Sequence, residues 1–239
     1  MKKLIESGIA LYKQLTYTQK LKGIPKKKVV PLPYFSQWES PRLVKKILDG
    51  SVSAIDDPNW QSSGATDKKE YLHWSWNLCA MACVKMILTY RGVDAKLVDL
   101  GKRCMTYGGY TLHEKAYLKD DFRHSIDGVF YAGMVRFLSS DYALQSDIRS
   151  PLVLEEIIYE VSNGNCVMVS VSPRIRNPKD HPETKGGHVV LVTGYDLDAR
   201  TVLINNPSGF PGESQDHASI EFSDFAHFFN GRGVVVYLS

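Results

Sequence analysis

The sequence predicts an α+β domain, and three observations carry that expectation. Helical periodicity dominates up to about residue 162. After Asn165 it gives way to short runs rich in Val and Ile, CVMVSVS, HVVLVTGYD, TVLINNP and GVVVYL, separated by turn formers. No strand–glycine loop–helix fingerprint of a doubly wound nucleotide fold is present. Helices followed by a meandering sheet predict an antiparallel arrangement with the helical first half packed on it.

Taken in order, the chain opens on a basic amphipathic helical arm, residues 1–28, with Leu4, Gly8, Leu11 and Leu15 on one side and Lys3, Lys13 and Lys20 among the polar positions. We expect this arm to pack on the main domain, residues 29–239. VVPLPYFSQW follows as an extended edge segment, because its prolines cannot sit in a central strand. Ser40-Pro41 predicts a helix start, serine as cap and proline in the first turn, and Gly50 a stop. Residues 51–76 carry Trp60, Trp74 and Trp76 and read as a long connection, either a lid or binding loop or an aromatic-pinned ordered segment. A helix is expected from about Cys79 to Tyr90. Its Ala82, Met86 and Tyr90 recur at four-residue spacing with Cys83 and Ile87 beside them, so most of its sides are buried. Further helices are expected near 95–100, 127–139 and 151–162. SIEF reads as a strand, and Phe225, Phe228 and Phe229 with His227 as a closing amphipathic helix.

Composition narrows the function classes. The formal charge is only +3 over 239 residues, which gives no case for a nucleic-acid partner. Residues 1–30 hold eight Lys against one Glu, +7, leaving −4 for the rest. That basic end is a solvated Lys-rich helix or a contact for an anionic partner. No stretch approaches the roughly 18 apolar residues of a membrane span. Glu6 and Lys13 interrupt any export-signal core. Cys79, Cys83, Cys104 and Cys166 are too few and scattered for a secreted disulfide framework. These features together predict a cytoplasmic protein without a transmembrane segment.

The chemistry-bearing residues lie around Cys79 and His188. Cys79 follows Trp-Asn-Leu at the start of an apolar helix, where free amides and the helix dipole favour a thiolate. Alone, such a cysteine is more often a small buried hydrophobe, and Cys83 reads as that. Gly186-Gly187-His188 opens a strand, with the glycines leaving room for a substrate backbone. If the following run pairs with it through the Asp196–Arg200 turn, an asparagine of Asn205-Asn206-Pro207 can orient His188, giving a Cys–His–Asn set. On alternation, Asn206 faces His188 and Asn205 the opposite side. Cys79, Cys83 and His188 lack the close cysteine pairs of a zinc site. No metal or other cofactor is called for. His113, His124, Asp120, Asp121 and Asp127 read as solvated surface, and GYTLHEKAYL and DHPET as loops beside a substrate cleft.

VPLPYFSQ ending at Gln37, CAMACVKMILTYRG from Cys79 to Gly92, GGHVVLVTGYD with His188, and INNP ending at Pro207 occur in this order across about 180 residues. In them the chain resembles the C39-like peptidases, a branch of the papain-like cysteine-protease fold. The resemblance implies peptide substrates and a Cys79 nucleophile with His188 as its base. It also implies Gln37 as oxyanion donor beside the Cys79 amide. In the transporter-linked branch, which removes leaders ending in double glycine, a glutamine lies six residues before the nucleophile, where this chain has His73. Ala80-Met81 stands in place of the family's Gly-Pro, and Asn206 in place of its aspartate. The chain is expected to be a free-standing member without a transporter region, acting on a peptide or an acyl-bearing small molecule. Two alternatives remain: acyl transfer from the same acyl-enzyme, and an inactive binding module.

Overall fold

The computed structural model describes residues 2–238, with side chains from residue 5 onward, so Lys3 and Leu4 are described in backbone only. In chain order the elements are α1 (Lys2–Lys20), β1 (Lys27–Val29), α2 (Val44–Leu48), α3 (Lys68–Ser75), α4 (Cys79–Tyr90), α5 (Leu97–Thr106), α6 (Glu114–Leu118), α7 (Tyr131–Tyr142), β2 (Ser146–Arg149), α8 (Leu154–Ser162), β3 (Cys166–Val171), β4 (His188–Asp196), β5 (Thr201–Asn205), β6 (Ala218–Glu221), α9 (Phe222–Phe228) and β7 (Phe229–Val236). The strands form one antiparallel sheet in the order β2-β7-β3-β4-β5-β6, with β1 added to the far end of β4. This is an α+β fold: a helical first half packed on an antiparallel sheet built mainly by the second half, the papain-like architecture.

β3 is buried at every position and β4 at all but its last, so both faces of the sheet centre are covered. α4 and α8 are the helices packed on these two strands. α4 is buried from Ala80 to Leu88 and apolar on nearly every side, its one charge being Lys85 over the Phe35 ring, so it belongs in a core. Each fully buried Met, Ile, Val or Leu there contributes about 1.5–3 kcal/mol relative to exposure. α7 starts where Gly133 presses on the backbone of Gly108 and Gly109. A Cβ at 133 would lie 2.2 Å from the Gly109 nitrogen. This contact, with Phe130 N–H donating to Gly109 C=O at 2.8 Å, fixes the segment leading into α7.

Of the two readings of residues 51–76, the ordered, aromatic-pinned segment is the one found. These residues hold two short 3-10 turns and α3, capped by Asp67 on the Glu70 amide, with Trp74 buried against Tyr110 and Trp76 edge-on to Trp38. A helical turn does start at Ser40-Pro41 and runs into α2, but the Ser40 side chain does not cap it; its Oγ donates to Asp57 Oδ1 at 2.5 Å. α1 docks on α8 through its polar side. Lys13 Nζ lies 2.9 Å from the buried Glu156 carboxylate, Gln14 reaches Glu155, and Tyr17 packs on Tyr159. Leu11 and Leu15 point away, 58% and 61% exposed.

Candidate active site

Cys79 is the first residue of α4, with Leu78 before it in a non-helical conformation. His188 is the first residue of β4, paired with Val171 across the sheet. The two glycines ahead of it hold φ of +99° and +90°, which an L side chain rarely adopts, and a Cβ on Gly186 would also meet Asn230 Nδ2 at 2.9 Å. Cys79, Gly187, His188 and Val189 share the wall of one cavity of about 620 Å³. Cys83, one turn along, is buried with its sulfur 3.8 Å from the Val189 carbonyl.

The imidazole is held from behind. His188 is 5% exposed, and its Nε2 lies 2.8 Å from Asn206 Oδ1. An amide oxygen only accepts, so Nε2 carries the proton and Nδ1 presents a lone pair. Asn206 follows the last residue of β5, antiparallel to β4. Asn205 is turned elsewhere: its amide donates to the Leu32 and Pro33 carbonyls and its Oδ1 accepts from the His217 N–H. The early segment braces this loop, through Tyr34 Oη to the Asn206 carbonyl and Ser36 Oγ and the Gln37 N–H to the Pro207 carbonyl.

Two residues that the sequence reading passed over belong to this arrangement. Ser208 places its Oγ 3.1 Å from His188 Nε2, and its N–H donates to Asn206 Oδ1. Arg176 grips Ser208 through both its carbonyl and its Oγ, at 3.2 and 2.9 Å. Ser208 sits in an Asn-Pro-Ser-Gly turn and Arg176 in a loop 32 residues earlier, so no local pattern marks either. The only hint is a hydroxyl two residues past the candidate orienting asparagine.

Neither oxyanion candidate other than the Cys79 amide opens onto the cavity. Gln37 is buried, and its side-chain amide donates to the Ser75 carbonyl at 2.9 Å and the Trp76 carbonyl at 3.3 Å. It thereby holds the turn that leads into α4. His73 faces the opposite way, with Nδ1 2.7 Å from Ser125 Oγ and its ring on Tyr117. Of the loops expected along the cleft, GYTLHEKAYL and DHPET do not line it. The wall opposite β4 is Asp127 to Ala132, entering α7.

Burial moves both Cys79 and His188 toward neutrality. It pushes the Cys79 thiol up, against the pull of the Val189, Ala80 and Cys79 amides and of Arg176. It brings the His188 imidazole down to about 4, with Asn206 opposing and Arg176 assisting. The expected lowering of the thiol by the helix terminus is thus outweighed by desolvation. Burial favours the uncharged form of each side chain.

A family model described as the Peptidase_C39 like family matches residues 51–235. The chain belongs to the Peptidase_C39 like family. The matched residues contain Cys79, His188 and Asn206, while Gln37 precedes them. Membership points to hydrolytic or acyl-transfer chemistry in general, and so to enzymatic potential at the level of the family. Among solved structures, the chain is similar to the peptidase domain of Streptococcus ComA, a bifunctional ABC transporter in a quorum-sensing pathway, at 13% identity and TM-score 0.44, covering 68% of this chain and 93% of that one. It is also similar to a candidate C39-like peptidase from Bacillus anthracis, at 16% identity and TM-score 0.48, covering 68% and 90%. No curated protein matches the chain. No helix among the described residues is long and apolar enough to cross a membrane.

Proposed function

We propose that this C39-like chain is a thiol hydrolase that cleaves a peptide or amide bond through a Cys79 acyl-enzyme. The observation that carries the reading is the hydrogen bond between His188 and Asn206. With Nε2–H given to Asn206 Oδ1 at 2.8 Å, Nδ1 is left to serve the thiol that shares its cavity. Because burial favours both uncharged forms, proton transfer and attack occur together. Nδ1 takes the thiol proton as Sγ bonds to the substrate carbonyl carbon, and the imidazolium then protonates the departing amine as the C–N bond breaks. Water, deprotonated by the same nitrogen, attacks the thioester, the C–S bond breaks, and the carboxylic acid leaves with Cys79 re-protonated.

Asn206 orients the ring without adding a negative charge to steady the imidazolium, and Ser208 with Arg176 holds the asparagine loop in place. The Cys79 N–H, at the free end of α4, is the first oxyanion donor. A second donor from Gln37, as the resemblance implies, requires its amide to leave the Trp76 carbonyl and turn toward the cavity, which the Gln37→Ala variant tests. The four free thiols suit a reducing compartment. Acyl transfer shares every step up to the thioester.

The test uses a chromogenic amide series and intact-mass analysis. Turnover with a transient acyl adduct on the native chain, and neither on Cys79→Ser, is the expected result. An adduct or activity that survives the substitution overturns the nucleophile. Product partition that shifts with added amines at constant consumption of substrate would move the assignment to acyl transfer.

A further inference from the structure

The cavity beside Cys79 runs across the sheet, and its course defines what it takes. Four strands lie side by side in the order β4, β3, β7, β2. His188 and Val189 lie on β4, Ser170 on β3, Arg232 on β7, and Ile148 with the following Ser150 at β2, and all of these line the one cavity. At about 4.8 Å per strand, Arg232 stands roughly 10 Å from His188 and Ser150 roughly 14 Å. The facing wall is Val129, Phe130 and Tyr131.

Such a trough is wide as well as long. Its 620 Å³ would stand largely empty around two glycines, whereas an extended chain of about three residues, at roughly 3.3–3.6 Å each, spans the distance to Arg232. Its walls are apolar for most of that course, from Val189 through Val129, Phe130 and Ile148. The charged groups are Asp127 and Arg232. Asp127 is held by His113 Nε2 at 3.0 Å. Arg232 lies 5.7 Å over the Tyr131 ring and has no carboxylate partner among the described residues, so it is the charged side chain of the trough whose donors are left for a ligand.

We infer that the acyl half of the substrate is a large, elongated apolar group carrying a negative charge roughly 10 Å from the reacting carbonyl. The inference rests on Cys79 and His188 marking where that carbonyl sits. Val189, Val129 and Phe130 receive the apolar length, and Arg232 receives the anion at a site half open to water, where it sorts substrates more than it adds affinity. An acyl group ending in two glycines fills neither part.

Binding to the Cys79→Ser chain reads the trough without any chemistry. Three neutral-headed amides serve as probes in calorimetry: azelaic acid mono-N-methylamide, nonanoic acid N-methylamide, and N-acetyl-diglycine N-methylamide. We expect the azelaic half-acid to bind at least about tenfold more tightly than the diglycine amide, and several-fold more tightly than the methyl-ended chain. Arg232→Gln should erase only the difference between the two long chains. Val129→Trp, which fills the trough, should weaken both. A diglycine amide that binds as tightly as either long chain, failure of the half-acid to bind, or a carboxylate advantage that survives Arg232→Gln overturns the inference. None of these results bears on the nucleophile, which is read separately by iodoacetamide labelling of Cys79 in the native chain.

Discussion

The two sides of the candidate site are built differently. On the base side, His188, Asn206, Ser208 and Arg176 form a connected set of hydrogen bonds that leaves one imidazole nitrogen for the thiol. On the oxyanion side, the Gln37 amide is spent on two backbone carbonyls, and His73 serves a separate cluster around Ser125. Strand pairing explains the contrast. Once β3, β4 and β5 are in register, the start of β4 and the end of β5 lie side by side, which brings Asn206 to His188. Gln37 lies on an irregular segment whose neighbours offer carbonyl acceptors, and those acceptors compete with any substrate.

The largest expected effect breaks the site altogether. Cys79→Ser should lower kcat by on the order of 10⁴ to 10⁶, since residues acting as one unit fail together, with thermal unfolding unchanged; activity within tenfold of the native chain would end the Cys79 assignment. Next, Gln37→Ala should reduce kcat by roughly 10² to 10³ if its amide reaches the oxyanion in the transition state. Should kcat hold while Tm falls, Gln37 only props the turn at Ser75 and Trp76. His73→Ala should leave kcat alone.

Acid stability sharpens the base side. His188 is held down to about 4 when folded, against 6.5 unfolded, so the unfolded chain binds the extra proton between those values. Its contribution to stability is complete above pH 6.5 and is lost as pH falls toward 4, by on the order of 3 kcal/mol. Urea titrations of the native chain and of His188→Asn across this window should differ by that amount. Parallel curves would mean the imidazole is not held neutral. In the same way, the acid limb of kcat/KM should lie near 4 instead of near 6.5. The smallest effect is that of Cys83→Ser, about 1–3 kcal/mol of stability for an unpaired buried hydroxyl, with kcat retained in a chromogenic assay.

What was legible in the sequence follows the same division. α4 is read from Cys79 to Tyr90 because its apolar spacing and Gly92 mark both course and end. β3, β4 and β5 are read because β-branched runs between turn formers have few other fates. β2 is missed because Ser-Asp-Ile-Arg is short, polar and partly exposed, an edge strand held by β7 and not by its own pattern. α3 is missed because Tyr71, His73, Trp74 and Ser75 are all buried, so no clean polar face shows its period. The face by which α1 docks was not legible, since an apolar stripe normally marks the buried side. Here the buried Glu156 carboxylate, 143 residues away, calls for Lys13 instead. Arg176 and Ser208 were beyond reach because their role exists only through contacts distant in the chain.

β4 joins three other strands and is buried from His188 to Tyr195, so its amides should be among the last in the molecule to exchange with deuterium. The imidazole stands on the first residue of that slow-opening strand, and the thiol on the first residue of a helix buried along nearly its whole length. Local opening at loops or termini therefore leaves the reacting pair assembled. On heating, loss of catalysis should track global melting and not precede it.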